Sequence, residues 1–233
     1  MKKLLIFDLD DTLIHTHSVF LQVTAEVLDR MEELGIIDDN LYYTLDSFDQ
    51  EMVETEGNFN QEVFPRAVQK TYEFYCQKLY LEYSEETAAE LNEIAWQIKS
   101  IKYEIIDGAK ELLDTLADKQ NYTLILVTRG EEKSQKKKIT DNHLQNYFQH
   151  IYVVPDKNSE VFGEIISKLG FTPQNTWIIG NSLRAEIIPA QQLEANCILT
   201  TVTEESWSFD NITNQKIECP QVSNLLDCLN IIK

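Results

Sequence analysis

The sequence predicts an α/β fold, in which parallel β-strands alternate with helices and a helical lobe is inserted after the first strand. Short, wholly apolar runs rich in branched residues recur along the chain, and segments with helical periodicity separate them. Strands that are apolar throughout are typical of a parallel sheet covered by helices on both faces. A long helical stretch without a convincing strand, roughly residues 15–103, interrupts this alternation.

The composition is that of a folded globular protein. The chain has 233 residues, of which 43% are hydrophobic and 25% are charged, and this excludes disordered and fibrous proteins. A formal charge of -19 argues against general nucleic-acid binding, because an acidic surface repels polyanions. The apolar run before Asp8 is too short for a signal peptide or a membrane span, so we expect a cytoplasmic protein without a membrane partner. The four cysteines form no CxxC pair and are expected to be free.

The predicted core occupies residues 1–14 and 104–233 and has a Rossmann-like, three-layer α/β/α arrangement. Its strands are expected at residues 4–7, 124–127, 151–154, 177–179 and 197–200. Its helices are expected at residues 109–117, 131–142 and 159–169, from about Ser182 with a bend or restart at Pro189, and at residues 222–231.

Residues 15–103 leave the core after the first strand and return before the second. Four helices are expected there, at residues 18–33, 41–53, 61–79 and 85–101. Gly35, Gly57 with Asn58, and Ser84 separate them. This pattern predicts an α-helical bundle as a second domain.

An acidic turn follows the first predicted strand. Asp8 and Asp10 lie two residues apart with Thr12 beside them, and such crowded hard oxygens suit a divalent cation, magnesium above all. One alternative is an ordinary solvated turn. A calcium loop is a second alternative, but Leu13 stands where that loop needs Gly, and Val19 where it needs Glu.

The segment Asp8-Leu9-Asp10-Asp11-Thr12 resembles the DxDxT signature of the haloacid dehalogenase superfamily of phosphatases. The resemblance implies that Asp8 is the nucleophile that becomes an aspartyl-phosphate and that Asp10 is the general acid and base. Both roles suit carboxyl groups. The resemblance also implies that residues 15–103 form a cap domain, and Asp at position 10 favours phosphatase over dehalogenase chemistry.

Two further strand ends resemble motifs of the same superfamily. Thr128 matches a residue that hydrogen-bonds the phosphoryl oxygens, and Arg129 and Gly130 are predicted to help bind the substrate. Lys157 matches the lysine that neutralises the nucleophile and the phosphate. The rival lysines, Lys133 and residues 136–138, are expected to spread along an exposed helix face.

The segment from Gly180 to Glu186 is similar to the superfamily's GDxxxxD motif, with both acids changed. Asn181 and Glu186 replace the two aspartates, so the predicted metal ligands are Asp8, Asp10, Asn181 and Glu186. An amide carbonyl can hold magnesium but carries no charge, so we expect weaker metal binding.

The sequence therefore predicts a Mg²⁺-dependent phosphomonoester hydrolase that acts on a small phosphorylated metabolite. One alternative is a catalytically weakened phosphate- or metal-binding module that works through a partner, which the changes at Asn181 and Glu186 suggest. Another is phosphosugar mutase or dehalogenase chemistry on the same fold. Neither a G-x-G-x-x-G nor a P-loop pattern occurs, so nothing indicates a dinucleotide cofactor or a nucleoside triphosphate.

Overall fold

A computed structural model of the chain describes residues 2–56, 62–203 and 218–232. The chain divides into two compact units. The larger unit comprises Met1–His17 with Tyr103–Lys233, and the smaller comprises Ser18–Lys102. The breaker predicted at Gly57 and Asn58 lies outside the described residues. That the smaller unit acts as a cap stays a prediction.

The smaller unit is built from helices around its own apolar core. They are α1 (His17–Glu33), α2 (Leu41–Glu56), α3 (Val63–Leu79) and α4 (Glu85–Trp96), followed by a 3₁₀ turn at Gln97–Lys99. Ser84 caps α4, because its side chain accepts a hydrogen bond from the backbone N–H of Thr87 at 3.2 Å. The centre of the unit includes the fully buried Val27, Met31 and Tyr75.

A parallel sheet of six strands forms the centre of the larger unit within the described residues. The strands are β1 (Lys3–Phe7), β2 (Tyr122–Arg129), β3 (His150–Val154), β4 (Thr176–Gly180), β5 (Asn196–Thr200) and β6 (Gln221–Val222). Their order is β3-β2-β1-β4-β5-β6, and every neighbouring pair is parallel. This is the strand order of Rossmann folds, so the predicted fold class is confirmed.

Helices cover both faces of this sheet. The larger unit contains α5 (Ala109–Ala117), α6 (Glu132–Asp141), α7 (Ser159–Lys168), a π-helical turn (Leu183–Ile187), α8 (Ile188–Gln192) and α9 (Cys228–Ile231). Leu4 and Ile6 of β1 pack in a cluster with Phe162 of α7. Leu5 and Phe7 point to the opposite face because side chains alternate along a strand, and Phe7 lies against Phe148 with ring centroids 6.2 Å apart. Because successive side chains of β1 are buried on opposite faces, the strand is apolar from Leu4 to Phe7.

The prediction of a helix over residues 222–231 is wrong at its start. Val222 instead pairs with Thr200 of β5 as part of β6. The strand is short because Asn224 follows, and its side chain accepts from the backbone N–H of Leu226 at 2.9 Å to begin a new turn. Only Cys228–Ile231 is α-helical.

The four cysteines are free thiols, as the sequence predicts. In the part of the chain that the structure describes, no helix is long and apolar enough to cross a membrane.

Candidate active site

Asp8 directly follows β1, which lies between β2 and β4. From β1 the strand order runs outward to β3 on one side and to β6 on the other, so the direction of the connections reverses here. The backbone N–H of Asp8 donates to the carbonyl of Ile179 in β4 at 3.0 Å. Asp11 fixes the turn that follows: its backbone is left-handed, with φ 55°, and its Oδ1 accepts from the backbone N–H groups of Thr16 and His17, each at 2.9 Å. Open α/β sheets bind ligands at such a switch point, so the turn is placed where chemistry is expected.

A buried ion cluster surrounds Asp8. Lys157, which follows β3, donates from Nζ to Asp8 Oδ1 and to Glu186 Oε1, the latter at 2.7 Å. The side chains of Lys157, Asp8 and Glu186 are 5%, 6% and 2% exposed. The second oxygen of Glu186 accepts from the backbone N–H of Ser182 at 3.0 Å. Glu186 therefore links Lys157 to the backbone at Ser182, and Lys157 contacts two carboxyl groups.

Burial dominates the proton affinities of this cluster. Burial raises the pKa of Asp8 to about 7; Lys157 opposes the rise, and the negative charges of Glu186 and Asp10 add to it. Burial by itself would lower the pKa of Lys157, but attraction to Asp8 and Glu186 outweighs it and raises that pKa. The lysine thus stays charged, and its one positive charge is divided between two carboxyl groups.

Asp10 is held by a separate set of donors. Its Oδ1 accepts from Lys138 Nζ and from Thr16 Oγ1, each at 2.6 Å, and its Oδ2 accepts from Gln135 Nε2 at 2.6 Å. Burial acts to raise the pKa of Asp10, but the charge of Lys138 and the three hydrogen bonds outweigh it, so the pKa is lowered. Asp10 is consequently ionised in this arrangement.

The last three lysine side chains of α6 differ in where they point: two extend into solvent and one contacts the site. Lys136 and Lys137 are 63% and 56% exposed, and each pairs with a carboxylate four residues away. Lys138 is 11% exposed and contacts Asp10. The prediction of an exposed lysine face is therefore wrong for Lys138, because the turn of the helix directs this one side chain to the sheet edge.

The end of β2 places the predicted substrate-binding segment beside α6. Thr128 is fully buried, and its Oγ1 accepts from Gln135 Nε2 at 2.5 Å. The same amide donates to the carbonyl of Arg129 at 3.0 Å, and the Arg129 guanidinium lies 3.6 Å from Asp156 Oδ1. Gly130 follows with φ 140°, a conformation that suits glycine.

Two of the four predicted metal ligands converge on Thr12. Thr12 Oγ1 lies 3.1 Å from Asp8 Oδ2 and 3.3 Å from Asn181 Oδ1. These hard oxygens, with water in the other positions, fit Mg²⁺. Asp10 and Glu186 engage lysines through their oxygens, and metal ligation by them stays a prediction. Over residues 2–56, 62–203 and 218–232, no group of three or more His, Cys, Asp or Glu side chains is arranged to hold a metal ion.

The larger unit alone brings together all the predicted site residues, and it adds Thr16, Gln135 and Lys138, which sequence reasoning missed. A signal for Gln135 was present. Gln135 lies four residues before Ile139 on α6, and both are 2% exposed. Residues four apart share a helix face, so the face that carries Ile139 into the core also carries Gln135.

Comparison with known proteins identifies the family. The sequence profile described as haloacid dehalogenase-like hydrolase matches residues 5–200. The putative HAD-hydrolase YfnB of Bacillus subtilis (strain 168) is 33% identical over 91 residues, which are 36% of this chain and only 38% of YfnB. A glyceraldehyde 3-phosphate phosphatase of Pyrococcus furiosus is 24% identical over 197 residues, which are 82% of this chain and 77% of that protein.

Solved structures agree with this assignment. A haloacid dehalogenase-like family hydrolase of Xanthomonas campestris has a TM-score of 0.77 and 18% identity, and the match covers 99% of this chain and 96% of that one. YfnB bound to magnesium has a TM-score of 0.67 and 21% identity, with 99% and 98% covered. At these identities the structural likeness shows the fold alone. Because the family profile spans most of the sequence, this chain belongs to the haloacid dehalogenase-like hydrolases.

Proposed function

We propose that this hydrolase is a Mg²⁺-dependent phosphatase that removes phosphate from a small phosphorylated metabolite through an aspartyl-phosphate on Asp8. The observation that carries the proposal is the setting of Asp8: a buried carboxylate at the switch point of the sheet, with Lys157 on one oxygen and Thr12 on the other. The Pyrococcus relative, a phosphatase of glyceraldehyde 3-phosphate by its name, supports the substrate class.

In the first half of the reaction, Asp8 attacks the phosphorus atom and the bond from phosphorus to the ester oxygen breaks. Asp10, protonated for this step, gives its proton to the leaving oxygen, so the products are an alcohol and an aspartyl-phosphate. Lys157 offsets the negative charge that the phosphoryl oxygens bring close to Asp8.

In the second half, water attacks the same phosphorus atom from the leaving-group side. Asp10, now a carboxylate, takes a proton from that water while the bond between Asp8 and phosphorus breaks. Inorganic phosphate leaves, Asp8 is a carboxylate again, and Asp10 has regained its proton. The ionised state of Asp10 in this structure corresponds to the form that receives the proton.

Asp8 Oδ2 and Asn181 Oδ1 would hold the metal ion, since both oxygens lie near Thr12 Oγ1. When bound, Mg²⁺ would offset negative charge on the phosphoryl group and lower the proton affinity that burial gives Asp8. Asn181 supplies an oxygen without a charge, so we propose metal affinity below that of a site with a second carboxylate.

Thr128, Arg129 and Gly130 are proposed to bind the phosphoryl end of the substrate. Thr128 Oγ1 is fixed by Gln135 as an acceptor, which directs the hydroxyl proton elsewhere. We further propose that the smaller unit is the cap of this enzyme and selects its substrate.

A chromogenic phosphate ester with Mg²⁺ tests the proposed function. We expect turnover by the wild type and a fall to background in Asp8→Asn, because an amide cannot form the aspartyl-phosphate. Asp118→Asn is the matched control, since this exposed residue ends α5 shortly before β2 begins, at the edge of the sheet opposite to the site, and the change should leave turnover unchanged. Absence of turnover in the wild type, or undiminished turnover in Asp8→Asn, would defeat the proposal.

A second candidate is a phosphate-binding module without turnover, which the uncharged Asn181 favours. It predicts that the wild type binds inorganic phosphate and Mg²⁺ in calorimetry but releases no phosphate from any ester in a broad screen. Turnover that depends on Asp8 excludes this candidate.

A further inference from the structure

Helix α6 presents two side chains to the two oxygens of Asp10. Lys138 Nζ lies 2.6 Å from Oδ1, and Gln135 Nε2 lies 2.6 Å from Oδ2. Residues three apart share one face of a helix, so a single rigid element supplies both donors. A carboxylate held at each oxygen by groups on the same helix has little freedom to rotate.

The surroundings of these donors restrict them in turn. Gln135 is 2% exposed, and Lys138 Nζ lies 4.7 Å from the centre of the Tyr103 ring. Asn142, after the end of α6, donates to the carbonyls of Tyr103 and Lys138, each at 3.0 Å. The helix end, the ring and the lysine are therefore packed as one body, unlike a solvated surface lysine.

Gln135 also joins two parts of the site. Its Nε2 reaches Thr128 Oγ1 at 2.5 Å as well as Asp10 Oδ2. One amide thus fixes the distance between the residue proposed to bind the phosphoryl oxygens and the residue proposed to transfer the proton.

We infer that Gln135 and Lys138 are positioning residues, which hold the Asp10 carboxyl group in place for proton transfer to and from the reacting oxygen. This inference rests on the proposed phosphatase function. Its physical basis is that proton transfer requires the donor within hydrogen-bond distance of the oxygen, so a displaced carboxyl group is ineffective. Lys138 also offsets the charge of Asp10, which lies beside the charged group of Asp8.

Replacement of Lys138 should damage the step that needs a proton more than substrate binding. We expect kcat of Lys138→Met on an alkyl phosphate to fall about tenfold, a part of the roughly 10²- to 10⁴-fold contribution of acid–base catalysis, with little change in KM. An aryl phosphate has a leaving group that needs little protonation, so its aspartyl-phosphate formation in single-turnover assays should fall less. Lys138→Arg, which keeps the cation, should restore part of the loss.

Lys137→Met is the matched control. Lys137 is adjacent in sequence and has the same side chain, but it is 56% exposed and pairs with Asp141. It should behave as the wild type on both substrates.

An Asp10→Asn background separates positioning from a general structural effect. If Lys138 acts through Asp10, Lys138→Met should cause no further loss of kcat once Asp10 is gone. A further loss of the full size, an equal fall in the rate of aspartyl-phosphate formation from alkyl and aryl esters, or kinetics identical to those of Lys137→Met would each overturn the inference.

Gln135→Met, of similar volume, provides a second variant if Lys138→Met does not fold. In this variant too, the rate of aspartyl-phosphate formation should fall more for alkyl than for aryl esters. An equal fall for both would overturn the inference. Each of these outcomes would overturn the inference but not the proposed function, because the wild type would still turn over esters through Asp8. A wild type that does not turn over any ester is a different result, since it overturns the proposed function and this inference with it.

Discussion

The site contains two lysines that face aspartates, and they are placed by different parts of the fold. Lys157 follows strand β3 and lies between two buried carboxyl groups, those of Asp8 and Glu186. Lys138 lies within helix α6, faces the single carboxylate of Asp10, and shares it with two uncharged donors. Lys157 balances the charge of two buried carboxyl groups, whereas Lys138 restrains a carboxylate that is partly exposed to solvent.

This difference sets how much each lysine contributes to stability. Removal of Lys157 would leave two carboxyl groups buried at 6% and 2% exposure without a cation. Removal of Lys138 would leave Asp10, whose side chain is 24% exposed, with the hydrogen bonds from Gln135 and Thr16. An uncompensated buried charge costs more than a partly solvated one, so the two changes should be clearly separable.

The largest expected effect is that of Lys157→Met. We expect the free energy of unfolding to fall by ~3–5 kcal/mol, because a buried ion pair loses one partner. Lys138→Met should lower it by about 1–3 kcal/mol, since hydrogen bonds to a charged group are lost at a more accessible place. Urea denaturation of both variants measures the difference.

Lys136→Met is the reference for these two variants. Its exposed pair with Glu132, one turn away, should contribute little to stability, because solvent screens both charges. The comparison fails if Lys157→Met is no more destabilised than Lys138→Met.

A smaller loss of stability is expected from a substitution at Gly180, which would disturb Glu186 and, through it, Lys157. A Cβ at this position would overlap the Cγ of Glu186, whose two oxygens are held by Lys157 and Ser182. Because Glu186 cannot move without losing these bonds, Gly180→Ala should destabilise the protein by about 1–3 kcal/mol, as overpacking does. Thermal or urea unfolding measures it.

Gly163 of α7 provides a glycine-to-alanine control. A Cβ there would lie 3.4 Å from Leu193 Cδ2, an ordinary contact. Because alanine favours a helix over glycine, Gly163→Ala should be neutral or more stable by about 0.5–1 kcal/mol. Equal loss in both variants would show that Glu186 is not a fixed anchor for Lys157.

The two lysines also show which site residues the sequence can predict. Asp8, Thr128 and Lys157 occupy or follow the ends of strands in one parallel sheet, and the ends of parallel strands meet at one edge of a sheet whatever the details of packing. Their proximity thus follows from the order of the apolar runs. The fold class was predictable for a similar reason, because the alternation of apolar strands and helices is a local pattern.

Lys138 could not be predicted from the same information. It is the last of three consecutive lysines, and which one faces the sheet depends on the rotation of α6 about its axis, a property set by tertiary packing. The strand at Gln221–Val222 is a similar case, because its pairing with β5 is a contact between residues distant in sequence. Local periodicity there favoured a helix.

Among the changes to site residues, the smallest expected effect concerns Asn181, whose Oδ1 lies 3.3 Å from Thr12 Oγ1. Asn181→Asp adds a carboxylate beside Asp8 without touching the donors of Asp10. We expect Mg²⁺ to bind about tenfold more tightly, a gain of ~1.4 kcal/mol, because a charged oxygen replaces a neutral one. Without metal the variant should be less stable than the wild type, since the added charge lies close to Asp8 and the single charge of Lys157 cannot balance it. Calorimetric titration with Mg²⁺, together with unfolding in the presence of a chelator, measures both. Equal or tighter Mg²⁺ binding by the wild type would mean that the side-chain oxygen at position 181 is not a metal ligand.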